Sequence, residues 1–468
     1  MNSIFKFSVF LLALSLTYSC FEDDDDTAIE SSEISDFVWK GMNFIYLYKD
    51  NIPDLSDDRF TSDTEYRKFL NGFDSPENLF ESLIYQRELA DRFSWITTNY
   101  IELEQQFSGV TKTTGAEYNF YYAPGSSTNV FGIVRLVQPN SDASSTPLVR
   151  GHIFNKIDGV TLTEANLRSL LNPDTYTVHL ATYNTNGTAA PDDDSLTEST
   201  ETITLTKTVF SENPIFKTEI ITLNTKKVGY LMYNGFVADY DAELNAVFGD
   251  FKAQNIEHLV LDLRYNPGGS VNTAITLGSM ITGISNKVFA RLQYNNDLER
   301  FNTNYNFTTT LSDDTPIYSL GLSKVYVITT GSSASASEMV INSLKPYIDV
   351  VQIGTNTNGK AQASVTIYDS PDFQREGANP NHLYALQPLV ASTVNTDYLG
   401  VPFNGLTPDI EIRENVTNFG VLGDSNEPLL AAALAAIQSG RFAIDTQGIT
   451  PIMDSNTFKP HSKTMYID

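Results

Sequence analysis

Two loops of this 468-residue sequence carry residues that could do covalent chemistry. One is Thr330-Gly331-Ser332-Ser333-Ala334-Ser335-Ala336-Ser337-Glu338, where four serines stand among small residues at the start of a helical pattern. A serine hydroxyl there is a nucleophile if a base removes its proton and N–H groups hold the oxyanion that its attack creates. Otherwise it is an N-cap, the ordinary reading of Ser337 with Glu338 in the first turn. The spacing is not Gly-x-Ser-x-Gly, so a nucleophile elbow is not indicated. The other loop, Leu261-Asp262-Leu263-Arg264-Tyr265-Asn266-Pro267-Gly268-Gly269, ends in a glycine pair that lets backbone N–H groups approach a ligand. A tight turn at a strand end has the same composition.

A base must accompany the serine. His152, His179, His258, His382 and His461 all lack a Gly-rich or acid-paired setting, although a Ser–His–Asp triad with distant members stays open. A lysine is the other option, and it accepts a proton only if burial keeps it neutral. Lys360 ends the loop Gly354-Thr355-Asn356-Thr357-Asn358-Gly359, which carries no other charge.

These loops need elements to hold them. From Asp36 to about Arg92, apolar and aromatic residues recur at spacings near three and four, which predicts a small helical domain with stretches at Glu65–Leu70 and Pro76–Gln86. Its reading is a packing unit without chemistry. Between Ser94 and Lys207, the runs Tyr118–Tyr122, Gly132–Val137, Ile153–Ile157, Tyr176–Ala181 and Ile203–Lys207 predict strands; Leu162–Leu171 predicts a short helix, and polar Asn184–Thr200 an exposed loop. After Lys227 strands alternate with helices: Val228–Tyr233, His258–Leu263, Lys324–Thr329, Val350–Ile353 and Ala363–Tyr368 against Asp241–Gln254, Val271–Ile284 and Ser337–Tyr347. That order predicts a multidomain α/β protein with a mostly parallel, twisted sheet, whose loops between strand ends and helix starts carry the site. The expected domains are 36–93 (helical), 94–208 (β-rich), 209–440 (α/β core) and a tail, 441–468.

At the two loops the chain resembles the C-terminal processing (tail-specific) serine peptidases. That family has a Leu-Asp-Leu-Arg-x-Asn-x-Gly-Gly loop, then Ser-Ala-Ser-Ala-Ser-Glu with the middle serine as nucleophile, then Gly-Lys 25 residues after it. Lys360 follows Ser335 by that interval. The similarity extends to Gly229-Tyr230, to Gly405-Leu406-Thr407-Pro408-Asp409-Ile410 and to the helical run Glu427–Gln438, covering roughly residues 130–440. The resemblance implies a ClpP/crotonase-like core, a Ser335–Lys360 dyad, an oxyanion site from the N–H of Ala336 and of Gly268 or Gly269, hydrolysis of peptide bonds in protein or peptide substrates, and no metal or cofactor. Arg264 and Glu338 also match, and structural ion pairing explains them as well as catalysis does. Where the family has a lysine-orienting glutamine four residues on, this chain has Ser364, with Gln362 two residues earlier. The family also carries a peptide-binding PDZ domain, which Val137–Ala143 and Arg150–Gly159 resemble, with Phe131-Gly132-Ile133 as the carboxylate nest. His152 stands where the family has Asp, and Ser144–Pro147 is polar where it has Gly-Leu. A binding protein that keeps this fold without turnover is the rival reading.

Net charge is −27, which disfavours nucleic acid and anionic membrane surfaces as partners. Cys20 is the one cysteine, so no intramolecular disulfide forms. It ends a short apolar segment read as a signal peptide, residues 1–19, and Leu16-Thr17-Tyr18-Ser19-Cys20 resembles a lipidation site. An acidic tether, 20–35, follows. The expectation is a cell-envelope protein, lipid-anchored at the outer membrane and surface-exposed, acting on extracytoplasmic substrates.

Overall fold

The computed structural model describes residues 31–188, 191–414, 416–439, 449–458 and 463–467. The signal segment, Cys20, most of the tether and His461 lie outside the described residues.

Three helices open the described chain: α1 (Ser31–Ile45), α2 (Asp63–Leu70) and α3 (Pro76–Ser82). Ser62 and Ser75 cap α2 and α3 by accepting from the N–H groups of Glu65 and Asn78. On α1, Ile34, Phe37, Val38 and Met42 recur at helical spacing and are buried with Leu55, Leu79 and Phe80. The same cluster takes in Ile367 and Leu386, so the helical unit is docked on the later chain. Each such side chain contributes about 1.5–3 kcal/mol by leaving water. α4 (Tyr100–Phe107), capped by Asn99, leads out of the unit.

Five antiparallel strands follow: β1 (Ala116–Tyr122), β2 (Val130–Val137), β3 (Ile153–Ile157), β4 (Thr175–Asn184) and β5 (Ser195–Thr206). The predicted loop Asn184–Thr200 is corrected here, because β5 starts at Ser195 and pairs with β4 along its length. Threonines opposite one another, such as Thr177 and Thr204 with hydroxyls 2.9 Å apart, stabilise this exposed, polar hairpin. Low hydrophobicity concealed a strand that cross-strand Thr pairs maintain.

The α/β core begins with β6 (Ile215–Leu223) and β7 (Lys226–Tyr233), then α5 (Asp241–Ala253), β8 (His258–Asp262), β9 (Gly269–Ser270), α6 (Val271–Thr282), β10 (Val288–Tyr294) and β11 (Thr303–Asn306). β12 (Lys324–Thr329), α7 (Ala336–Leu344), β13 (Asp349–Gly354), β14 (Gln362–Ser364), β15 (Leu389–Val394), β16 (Ile410–Glu411) and α8 (Pro428–Ser439) complete it. One sheet has the order β6–β7–β8–β12–β13–β16, parallel except for the β6–β7 hairpin. Alternate residues face opposite layers: Leu231, Leu259 and Leu261 pack with α5–α7, while Tyr230, Met232 and Val260 pack with α8.

Two short strands come last, β17 (Met453–Asp454) and β18 (Met465–Tyr466). β17 pairs antiparallel with β1 at the edge of the β-rich sheet. β18 joins a second core sheet, β9–β18–β14–β15–β10–β11, in which the last three pairings are antiparallel. The expected mostly parallel architecture therefore describes only the first sheet. The second is built from non-local pairings, such as Arg291 with Val394, that local periodicity does not reveal.

Candidate active site

The loop from β12 to α7 sorts its four serines by their partners. Ser332 Oγ donates to Asp454 Oδ2 at 2.6 Å, Ser333 Oγ to the Leu263 carbonyl at 2.7 Å and Ser337 Oγ to the Asn266 carbonyl at 3.0 Å. Ser335, not Ser337, is the N-cap of α7: its Oγ is buried, faces the Glu338 N–H in a capping box and donates to no acceptor. Ser333 and Ser337 thus hold the two loops together, Ser332 ties its loop to β17, and the Ser335 hydroxyl donates to nothing. Ser335 also has φ +65° and ψ −115°, a conformation that costs a non-glycine residue about 1–3 kcal/mol. It immediately precedes Ala336, whose N–H, as the first of α7, has no intrahelical acceptor.

Opposite runs the loop after β8. Asn266 organises it: Oδ1 accepts from Gly268 N–H at 2.9 Å, Nδ2 donates to the Tyr233 carbonyl at 2.8 Å, and its own carbonyl accepts from Ala334 N–H at 3.1 Å. Gly268 and Gly269 have φ of +114° and +135°. A Cβ on Gly268 would lie 2.6 Å from Ser335 Cβ and 3.1 Å from Ala336 N; one on Gly269 would lie 2.2 Å from the Phe236 carbonyl oxygen. Only glycine fits, which brings this backbone against the serine and the helix N-terminus. Of the two N–H groups, that of Gly268 is used inside the turn, and that of Gly269 donates to the Thr464 carbonyl at 2.7 Å.

Lys360 is 1% exposed. Burial brings its ammonium down from 10.5 to about 7, against the opposing pull of Asp91 and Glu338. Its Nζ sits 5.1 Å from the centre of the Phe93 ring and donates to the Lys463 carbonyl at 2.9 Å. The Ser335–Lys360 hydrogen bond is not formed in this arrangement. The two residues are nevertheless held to one atom, since Glu338 Oε2 accepts from Ser335 N–H at 2.8 Å and from Lys360 N–H at 2.9 Å. Glu338 Oε1 accepts from Gly359 N–H at 2.7 Å and from the Thr357 hydroxyl. Burial raises the Glu338 carboxyl above its usual range, partly offset by these donors. Among the described residues Glu338 joins no ion pair, so the ion-pairing reading is corrected to that of a backbone anchor. Arg264 does pair, with Asp262 at 2.8 Å and Glu427 at 2.7 Å, wholly buried behind the loop.

Other expectations are redirected. Gln362 Nε2 faces the Tyr48 hydroxyl at 3.3 Å, and Ser364 Oγ donates to the Met465 carbonyl at 3.0 Å; neither bonds Lys360 Nζ, whose place for a partner is taken by Lys463 O. Phe131, Gly132 and Ile133 lie within β2, paired with β1 on one side and β3 on the other. A strand with both edges occupied cannot form a carboxylate nest. His382 pairs with Asp369 at 2.9 Å, and its Nδ1 accepts from Tyr384 N–H, so neither ring nitrogen serves a serine. The helical unit, expected to be inert, supplies Asp91, Arg92 and Phe93 around Lys360, with Arg92 Nη2 donating to the Gly359 carbonyl at 2.8 Å. No spacing in the sequence links those residues to the loops. Among the described residues no cluster of metal-ligating side chains occurs, and no helix is long and apolar enough to cross a membrane.

Ser335, the N-terminus of α7 and the Gly268-Gly269 turn thus lie against one another, with buried Lys360 tied to the Ser335 backbone through Glu338. The sequence profile of peptidase family S41 matches residues 227–412, and that of the peptidase S41 N-terminal domain matches 33–95, together more than half of the chain. The chain belongs to peptidase family S41. It is 29% identical over 191 residues to a carboxy-terminal-processing protease of Bartonella bacilliformis, covering 40% of this chain and 39% of that one. A carboxyl-terminal-processing protease of Picosynechococcus is 23% identical over 238 residues, 51% of each chain. These matches span about two fifths to half of the curated relatives' length. A solved structure from Bacteroides fragilis, named as a putative S41 protease, superposes with a TM-score of 0.68 and 27% identity, covering 86% of this chain and 97% of that one.

Proposed function

We propose that this chain is a serine endopeptidase of the C-terminal processing type in which Ser335 attacks and Lys360 is its base. The observation that carries the reading is the buried Lys360, its ammonium brought down to about 7, anchored through Glu338 to the backbone of the one serine of the β12–α7 loop whose hydroxyl donates to nothing. Neutral Lys360 takes the Ser335 hydroxyl proton as Oγ attacks the scissile carbonyl. Ala336 N–H and Gly269 N–H hold the oxyanion, with Gly268 keeping the turn open. Protonated Lys360 gives its proton to the leaving amine, and water cleaves the ester by the same route. The substrates are proteins or peptides outside the cytoplasm, reached by a chain exported through residues 1–19 and tethered by lipid on Cys20. We further assign 36–93 as the helical domain, 94–208 as the PDZ-like domain, 209–440 as the peptidase core and 441–468 as a tail.

A peptide boronate tests the reading: peptide mapping is expected to place the adduct on Ser335, and an adduct elsewhere, or none with Ser335 intact, refutes it. The inactive-binder alternative has one observation in its favour, the open Ser335–Lys360 contact; turnover of any unstructured peptide removes it.

A further inference from the structure

The segment 463–467 lies across the site while its Met465 joins the main apolar core. Its Met465 and Tyr466 form β18, placed between β9 and β14, which begins two residues after Lys360, and parallel to both. Four hydrogen bonds hold it through its main chain. Lys360 Nζ donates to Lys463 O at 2.9 Å, Gly269 N–H to Thr464 O at 2.7 Å and Ser364 Oγ to Met465 O at 3.0 Å, while Ile467 N–H donates to Ser364 O at 3.1 Å. Groups that read backbone accept any extended chain, which is how peptides are held by strand addition.

The register is that of a substrate. A Cβ placed on Gly268 would lie 2.3 Å from Thr464 O, 2.6 Å from Ser335 Cβ and 3.1 Å from Ala336 N, so the Thr464 carbonyl crowds the same point as the nucleophile and the helix N-terminus. Beyond it Met465 is fully buried, and Tyr466 stacks on Phe107 at 4.2 Å. The groove continues past the segment: a cavity of about 570 Å³, lined in part by Tyr466, Ile467, Phe373 and Arg375, opens at its far end. A smaller one of about 120 Å³ borders Thr464 and the oxyanion loop. The occupancy is unproductive, however. The base is engaged by Lys463 O, and Ser335 Oγ has no partner to take its proton.

We propose that residues 463–467 are a resident pseudo-substrate, filling the groove between β9 and β14 and holding the peptidase shut until a substrate strand displaces them. This rests on the reading of Ser335 and Lys360 as the site. It also gives the binding mode of the substrate: an extended chain parallel to β9 and β14, with at least three residues beyond the scissile carbonyl. A tethered ligand acts at about millimolar effective concentration, so a free pentapeptide of about 0.1 mM affinity would be excluded about tenfold.

The test compares the full chain with a variant ending at residue 462, both carrying Ser335→Ala, by fluorescence anisotropy with the labelled peptide Lys-Thr-Met-Tyr-Ile. The shortened protein is expected to bind at least about tenfold more tightly. With Ser335 restored, it is expected to hydrolyse an unstructured peptide about tenfold faster, and the free pentapeptide to compete with that substrate. Ile467→Pro and Tyr466→Ala in the full chain guard against misfolding, because they remove the N–H to Ser364 and the stack on Phe107 and should shift binding the same way. Equal binding by full and shortened chains overturns the proposal. So does a Ser335-dependent mass loss of residues 465–468, which would make the tail a substrate. If the binding difference holds and neither form cleaves any peptide, the peptidase reading fails while the occupied groove stands.

Discussion

Replacing Phe93 with alanine tests how Lys360 is made into a base. The ring stands 5.1 Å from Nζ and has two opposite effects. It excludes water, which favours the neutral amine, and its face attracts the ammonium, which favours the charged form. Burial lowers Lys360 from 10.5 to about 7 even though Asp91 and Glu338 pull the other way. The desolvation effect is therefore worth more than the whole net shift. If opening one side of the amine restores about half of its hydration, the group rises by about two units; the lost cation–π attraction of about 0.5–1 kcal/mol returns less than one. The net expectation is a rise of about one unit. At pH 7 the neutral fraction then falls from about one half to about one eleventh, a fivefold loss of kcat/KM, while at pH 9 the two proteins converge. The assay is the pH profile of kcat/KM on an unstructured peptide. An acid limb that stays near 7 or moves down in Phe93→Ala refutes the argument that desolvation by this ring tunes the base.

Glu338→Ala leaves three buried backbone N–H groups, of Ser335, Gly359 and Lys360, without an acceptor; a loss of about 3 kcal/mol or more is expected by denaturant titration, and a loss under about 1 kcal/mol contradicts the anchor role. Gly269→Ala must push its Cβ against the Phe236 carbonyl, so kcat is expected to fall about 100-fold or more, measured alongside an unchanged-fold control by circular dichroism. Because Lys360 is held below its ordinary value, the unfolded chain binds more protons than the folded one between about pH 7 and the usual lysine range. Stability therefore rises with pH across that window, and Lys360→Met should remove this component, read as the difference between the two proteins' unfolding free energies at pH 7 and pH 9.

The parts of the site that lie on one stretch of chain were legible, because their constraints are local. A serine before a helix, a glycine pair after an apolar strand and a lysine in an uncharged loop were candidates by residue type, and the resemblance to the tail-specific peptidases, with its 25-residue interval, singled out Ser335 and Lys360. What stayed hidden depends on distant pairing. Phe93 and Asp91 reach Lys360 only because α1 buries Phe37 and Met42 against Ile367 and Leu386. The strand β18 enters the groove from residues far along the chain, and its two-residue length gives no periodicity to read. The carboxylate nest at Phe131–Ile133 failed for a related reason: a Gly between apolar residues marks a binding loop or a central strand equally well, and the partners on both sides decide which. Likewise, Gln362 and Ser364 sit at plausible distances in sequence from Lys360, but their direction is set by β14, which turns them to Tyr48 and Met465.

In the proposed mechanism one hydroxyl, that of Ser335, carries the reaction. Hydrolysis of an unstructured peptide, followed by mass spectrometry for wild type, Ser335→Ala and Ser333→Ala prepared in parallel, measures it directly. Ser335→Ala is expected to lose at least about 1000-fold in rate with its thermal transition retained, while Ser333→Ala, which loses a bond to the Leu263 carbonyl and one from Thr330 N–H, stays within about tenfold. Comparable turnover by Ser335→Ala and wild type would contradict the account.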